Sequence, residues 1–282
     1  MAIYILTDST ADFLPDEAQC RGIWVVPLKV QFGSETYADG LELDHAAFFR
    51  KLETAKELPT TSQAGPDDFL PWFERVKAQG DSLICLPLAA SLSGTYQSAV
   101  IAKQLCGYEH IHVVDSTQTV LGLRLLVDLA CLLRDQGLDA PAIAQKLERA
   151  KHHVRLLAVV DTLKYLHKGG RLPAAVSIAG GLLRVKPLIS LRDGQLGLAG
   201  KGVGVKGSLA ALAKLMGPEL NQDERLPVYY GYTADDTICR ELIAQTEQTF
   251  RPHPYEVHSV GAVIGTHVGP GAAVIVYLER DN

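Results

Sequence analysis

The 282-residue sequence is poor in the groups that most often carry covalent or redox chemistry: five cysteines, two tryptophans and two methionines. Cys20, Cys85, Cys106, Cys131 and Cys239 form no C-x-x-C pair, and their odd, dispersed number fits reduced, mostly buried thiols better than a disulfide framework. Apolar runs stop well short of the roughly 18 residues a membrane span needs. The start "MAIYILTDST" has no charged leader, long apolar segment or small-residue cleavage site, so the default expectation is a cytoplasmic protein. Net charge is −5 with a pI near 6.0, and the cations are scattered singly or in pairs, which excludes a basic stripe for nucleic acid. There is no G-x-S-x-G elbow, no phosphate-binding P-loop and no run of acids for magnesium, so no catalytic centre and no metal are expected. His152 and His153 are adjacent and point apart, a poor start for a metal site.

What is present is an ordinary globular composition, 47% hydrophobic, with length for about two domains. The first half alternates β-rich runs, "IYILT", "WVVPLKV", "SLICLPL" and "IHVVD", with helical segments such as Pro66 to Gln79 and Tyr96 to Cys106. That alternation predicts βαβ units around a parallel sheet, a three-layer α/β/α domain over residues 1–152. Asp44 before "HAAFFRKL" and Asp139 before Pro141 are candidate helix N-caps, and "VQFGSETYADG" reads as a hairpin excursion. From 153 to 282 the pattern changes to "RLLAVVD", a hairpin signalled by Asp193-Gly194, "LPVYYGYT", a helix from about Asp235, and "AAVIVYLE". This predicts a second α/β domain with a mixed sheet.

Four strand ends or neighbouring loops are hydroxyl-rich: "TDST", "PTTSQ", "SLSGT" and "VDST". In open α/β sheets ligands sit outside the carboxyl ends of strands. Hydroxyls and backbone amides at a helix start form an uncharged anion cradle, with Gly94 allowing close approach. The same residues are also favoured as caps and turns; that plainer role suits "VDST", while for "SLSGT" and "TTS" both roles stand. Asp8 fits the ordering of its own loop. His110, His112 and His258 alternate with apolar residues and read as solvent-facing strand positions. His267 sits in "GTHVGPGA", where a strand is expected to give way to a Gly-Pro-Gly turn aiming the ring into an interdomain cleft. "KGGRL" places Arg171 beside two glycines, either to meet an anion or partner or as a helix C-cap with a surface charge.

Taken together, the ordered motifs "TDSTAD", "VVPLKVQFGSETYADG", "PTTSQAGP", "SLSGTYQSA", "VVDSTQTVLG", "DTLKYLHKGGRL", "VKPLISLRDG" and "IGTHVGPGA" resemble the DegV family, whose members include the fatty-acid-binding subunits of bacterial fatty acid kinases. The resemblance covers essentially the whole chain. It implies a two-domain carrier, related in fold to the dihydroxyacetone kinase substrate domain, that buries a long-chain fatty acid as its ligand and has no cofactor. Such a carrier presents the carboxylate to a separate kinase that makes acyl phosphate, within phospholipid metabolism, and transient membrane contact is compatible with this role. By the same resemblance, Thr61, Ser62, Ser93, Gly94 and His267 hold the head group, and Arg171 meets phosphate or the kinase. The apolar positions of "AAVSIAGGLLRV" are candidates for the tunnel wall. Two departures are visible: "KGVGVKGSLAAL", with Lys201 and Lys206 in place of an arginine-bearing segment, bears on kinase docking, and "TSQAGP" has Ala64-Gly65 where relatives more often carry proline. Rival readings are an enzyme acting on a small carbonyl or ester substrate and a lipid-sensing regulatory protein.

Overall fold

The computed structural model describes residues 1–172, 184–217, 219–250 and 253–280; most of the tunnel-wall candidate "AAVSIAGGLLRV" therefore lies outside the described residues. In chain order the elements begin with β1 (Ile3–Asp8), α1 (Pro15–Cys20), β2 (Ile23–Val26), β3 (Lys29–Phe32), β4 (Glu35–Ala38), α2 (His45–Thr54) and β5 (Thr60–Ser62). Then come α3 (Pro66–Gln79), β6 (Ser82–Leu86), α4 (Thr95–Cys106), β7 (Ile111–Val113), α5 (Val120–Asp135), α6 (Ala140–Ala150), β8 (Val154–Val159) and α7 (Lys164–Lys168). The remainder is β9 (Val185–Arg192), β10 (Gln195–Val203), α8 (Gly204–Leu215), β11 (Val228–Tyr232), α9 (Thr237–Thr249), β12 (Tyr255–Ser259), α10 (Ala262–Val268) and β13 (Ala273–Leu278).

The fold class is α/β, with a parallel sheet, a mixed sheet and a small antiparallel one. The parallel sheet has the order β2-β1-β6-β7. From β1 the chain moves one way to β2 and the other way to β6, so right-handed crossovers place α1 on one face and α3 and α4 on the other. Central β6, "SLICL", is buried at every position, as expected of a strand covered on both faces. Helix α3 runs over the predicted residues because Pro66 suits its first turn, Asp68 accepts the Gly65 N–H at 2.7 Å, and Gly80 at φ +67° ends it. Asp44 and Asp139 cap α2 and α6 as predicted, accepting the N–H groups of Ala47 and Ala142.

"WVVPLKV" is not one strand. Pro27 offers no N–H, and the chain breaks there into β2, in the parallel sheet, and β3, in a separate antiparallel sheet ordered β4-β3-β5. The β3–β4 hairpin is the predicted excursion, and β5 pairs on the other side of β3, with Thr61 opposite Val30.

The mixed sheet has the order β10-β9-β8-β13-β11-β12, antiparallel except between β11 and β12. Asp193 and Gly194 turn the β9–β10 hairpin with φ of 50° and 75°, the doubly positive pattern of a tight two-residue turn. One face of this sheet packs against α8 and α9, with Leu209, Leu212 and Leu242 against Val159, Leu188 and Ile275. The other face turns toward α5, which touches β1 and β6 of the parallel sheet as well as β8, β11 and β13. Helix α5, "VLGLRLLVDLACLLRD", is apolar nearly all round and buried nearly all round because it lies between the two sheets.

Candidate ligand-binding site

A cavity of about 380 Å³ lies between the two sheets. From the mixed sheet it is walled by Leu156, Ala158, Ile189, Leu191 and Val274, and from the first half of the chain by Leu28, Leu88, Leu92 and Val120. Helix α10 supplies a third wall through Val263, Ile264, His267 and Val268, a stripe at helical spacing. Arg171 is the only permanently charged side chain among the described lining residues.

At one side of this apolar space several predicted residues come together. Thr61 Oγ1 and His267 Nε2 are 2.8 Å apart, joining β5 to the last turn of α10 across 206 residues of sequence. Ser62 and Ser93 border the same cavity. Ser93 Oγ accepts the Thr95 N–H at 3.3 Å at the start of α4, the plainer of its two foreseen roles, and the residue also borders the cavity. Arg171 donates from Nε to Leu92 O at 3.2 Å and from Nη1 to Gly169 O at 2.7 Å, so its guanidinium is held in place by backbone.

Burial, and secondarily Arg171, lower the His267 pKa to about 4, so at neutral pH the ring is uncharged. Among the described residues its Nδ1 has no hydrogen-bond partner, and it packs on Gly169, where a Cβ would come within 2.2 Å of it. The glycine of "KGGRL" thus makes room for the imidazole. Gly170, at φ +69°, also fulfils the helix-ending role open to this motif.

His267 does not follow a strand as expected. Strand β12 stops at Ser259, and residues 262–268 are helical despite their β-rich composition, because Asp12 and Asp39 accept the first N–H groups and the helix packs on α2. His258 is likewise not solvent-facing: its ring lies 5.7 Å from that of Tyr229, and burial lowers its pKa to about 4. Asp8 does order its loop, its two oxygens accepting from Thr10 N, Thr10 Oγ1 and Leu88 N. "VDST" is a turn, with Asp115 Oδ1 accepting the N–H groups of Ala90 and Thr117.

Sequence reasoning missed Gln63 and Thr119. Gln63 borders the cavity, donates from Nε2 to Ser98 Oγ at 3.2 Å, and covers Gly94, where a Cβ would lie 2.2 Å from its Oε1. Gly94 is therefore needed for this side-chain packing, and the quoted "PTTSQ" already contained the partner. Thr119 lines the cavity with a buried Oγ1 that has no partner among the described residues; its position just before a long apolar helix gave no such signal.

Thr61, Arg171 and His267 also border a second, outer depression of about 700 Å³. Its rim carries Lys56, Lys164 and Lys168 against one acid, Glu57. A polar gate thus separates an apolar interior from a basic exterior. Among the described residues no group of three or more potential ligands could hold a metal, and no helix is long and apolar enough to cross a membrane.

A family model described as "Uncharacterised protein, DegV family" matches residues 2–280. The chain belongs to the DegV family. A DegV domain-containing protein of Caldanaerobacter subterraneus is 33% identical over 278 residues, covering 99% of each chain. The fold of this DegV family chain is shared with a fatty-acid-binding DegV family protein of Thermus thermophilus, at TM-score 0.89 and 30% identity over 99% of this chain and 100% of that one. DegV of Bacillus subtilis, a fatty acid binding protein, matches at TM-score 0.83 and 30% identity over 99% and 100%. A stearic acid-binding protein of Eubacterium ventriosum matches at TM-score 0.85 and 27% identity over 98% of both chains.

Proposed function

We propose that this protein is a carrier that binds a long-chain fatty acid between two domains, residues 1–152 and 153–282. The tail occupies the apolar cavity and the carboxylate lies at Thr61, Ser62, Ser93, Gly94 and His267. The observation that carries this reading is the apolar cavity that ends in the Thr61–His267 pair and meets a basic depression beyond it. Each buried methylene contributes roughly 0.8 kcal/mol, so a dozen give on the order of 10 kcal/mol before the costs of association. Affinity then resides in the tail, and the head-group site need only compensate a desolvated carboxylate and fix its direction. Neutral hydroxyls and a neutral imidazole do so without an ion pair that would hold the acid too firmly for later transfer.

The basic rim suits a second step in which a separate kinase phosphorylates the exposed carboxylate to an acyl phosphate, with Arg171 facing the incoming phosphate. In this reading the chain works in the cytoplasm, at the entry of fatty acids into phospholipid synthesis, as a non-catalytic subunit. The test is mass spectrometry of lipid extracted from protein purified from a lipid-containing host, together with palmitate titration of the stripped protein. Absence of both bound and binding fatty acid would overturn the reading. With the cognate kinase, Lys164→Glu combined with Lys168→Glu is expected to leave palmitate binding intact and abolish acyl-phosphate formation.

One observation favours a hydrolytic enzyme instead: a threonine hydroxyl beside a histidine nitrogen is the start of a nucleophile–base pair. The base lacks the rest of the machinery. Among the described residues no carboxylate orients His267 Nδ1, and a pKa near 4 makes it a poor proton acceptor at neutral pH. Ester hydrolysis by the isolated chain, lost in His267→Ala, would restore the enzyme reading.

A further inference from the structure

The acids of "TDSTAD" and "YADG" do not border the lipid cavity, yet Asp12 and Asp39 are only 4% and 3% exposed. Asp12 Oδ1 accepts the Gly261 N–H and Asp39 Oδ1 accepts the Ala262 N–H, both at 3.1 Å. These bonds join residues 249 and 223 positions apart and satisfy two donors at the start of α10, whose N-cap Gly261 has no side chain to do so. Among the described residues Asp12 Oδ2 has no hydrogen-bond partner, so this carboxyl is buried at a cost that its single backbone contact does not remove.

The rest of α10 leaves little freedom. A Cβ on Gly265 would lie 2.6 Å from Phe48 and 2.9 Å from Phe49, so the helix rests directly on two aromatic rings of α2. Its opposite face lines the cavity, and its last turn carries His267. A seven-residue helix is about 10 Å long and moves as a rod, so where its first turn is fastened decides whether His267 reaches Thr61.

We propose that Asp12 and Asp39 are positioning residues for the head-group site: by holding the Gly261 and Ala262 N–H groups they set the place of α10 and so the contact of His267 with Thr61. This assigns a role to two motifs that the head-group chemistry does not use, and for its ligand it rests on the fatty-acid reading. Asp12 and Asp39 face each other, the other groups facing them are Asp8, Arg124, His45 and the Ser9 hydroxyl, and those facing His267 are Thr61 and Arg171.

The test is the pH titration of the His267 imidazole by NMR in the full chain, first without lipid, followed by the release rate of bound palmitate. In the parent the ring is expected to stay neutral down to about pH 4. In Asp39→Ala the midpoint moves up toward the ordinary 6.5 as the ring becomes hydrated, and palmitate leaves at least about tenfold faster. Asp39→Asn keeps an oxygen acceptor and restores both. Gly261→Ala attacks the contact from the helix side, since its Cβ would lie 2.5 Å from Asp12 Oδ1, and it should act like Asp39→Ala if that variant does not fold. A folded Asp39→Ala or Gly261→Ala protein with an unchanged His267 titration overturns the proposal, as does failure of Asp39→Asn to restore it. If the parent binds no palmitate, the fatty-acid reading alone has failed and the titration still decides the positioning role.

Discussion

The two faces of the mixed sheet are built from the same residue types and have opposite outcomes. Along β8, Leu157 and Val159 point to one side and Leu156 and Ala158 to the other; along β13, Ala273 and Ile275 alternate with Val274. Toward α8 and α9 the alternation closes into a solid layer with Leu209, Leu212 and Leu242. Toward α5 and α10 it leaves a cavity. A packed face and a binding face are therefore not distinguished by hydrophobicity. They differ in what lies opposite: two amphipathic helices that interdigitate on one side, and on the other α5 over part of the sheet, with a short helix, strand ends and loops bordering the space over the rest.

This comparison can be broken in four ways. The largest effect is expected on the solid face, where Leu212→Ala should cost about 2–5 kcal/mol in chemical denaturation without changing the affinity of the remaining folded protein for palmitate. Next, on the hollow face, Ile189→Trp should fill space rather than remove it. Palmitate affinity should fall about a hundredfold, roughly 2.7 kcal/mol, while the unfolding midpoint holds or rises, and a solid interior in the parent would instead make this variant unstable. At the polar gate, Thr61→Val should weaken palmitate binding about tenfold, or roughly 1.4 kcal/mol by calorimetry, with tail selectivity unchanged, since the proposed reading puts the carboxylate and not the tail at that hydroxyl.

The smallest effect concerns the acids that hold α10. Burial raises the Asp39 pKa from 3.8 to about 6, so the folded state binds its proton more tightly than the unfolded chain does. Its contribution to stability is complete below about pH 4 and is lost as pH rises through 6. Asp39→Asn should therefore be no more stable than the parent at pH 4 and about 1 kcal/mol more stable at pH 8, where loss of charge-assisted hydrogen bonds offsets most of the relieved burial. A parent whose stability rises between pH 4 and 6 through this residue would contradict the burial that the fold imposes on it.

The neutral gate and the charged anchor also differ in how legible they were. Thr61, Ser62, Ser93, Gly94, Arg171 and His267 were named through the resemblance of their motifs to the DegV family; the structure brings all but Gly94 to the lining of one cavity, and Gly94 lies under Gln63. Gln63 was not named, because an amide 31 residues from the glycine it covers has no local signature; only the fold lays it over Gly94. His267 was placed after a strand because "AVIGTHV" is β-rich, and that local preference was overruled by two acceptors more than two hundred residues away. Pro27 split a strand whose apolar pattern was continuous, an outcome its missing N–H already implied.

By itself the sequence determined the α/β class, the alternation of strands and helices, the helix caps and the Asp193-Gly194 turn, since each depends on the conformational preference of a few neighbouring residues. Only the tertiary structure decided that one face of the mixed sheet stays hollow, that His267 rides on a helix, and that Asp12 and Asp39 fasten it. Those outcomes depend on contacts between distant segments, whose distances no local pattern encodes.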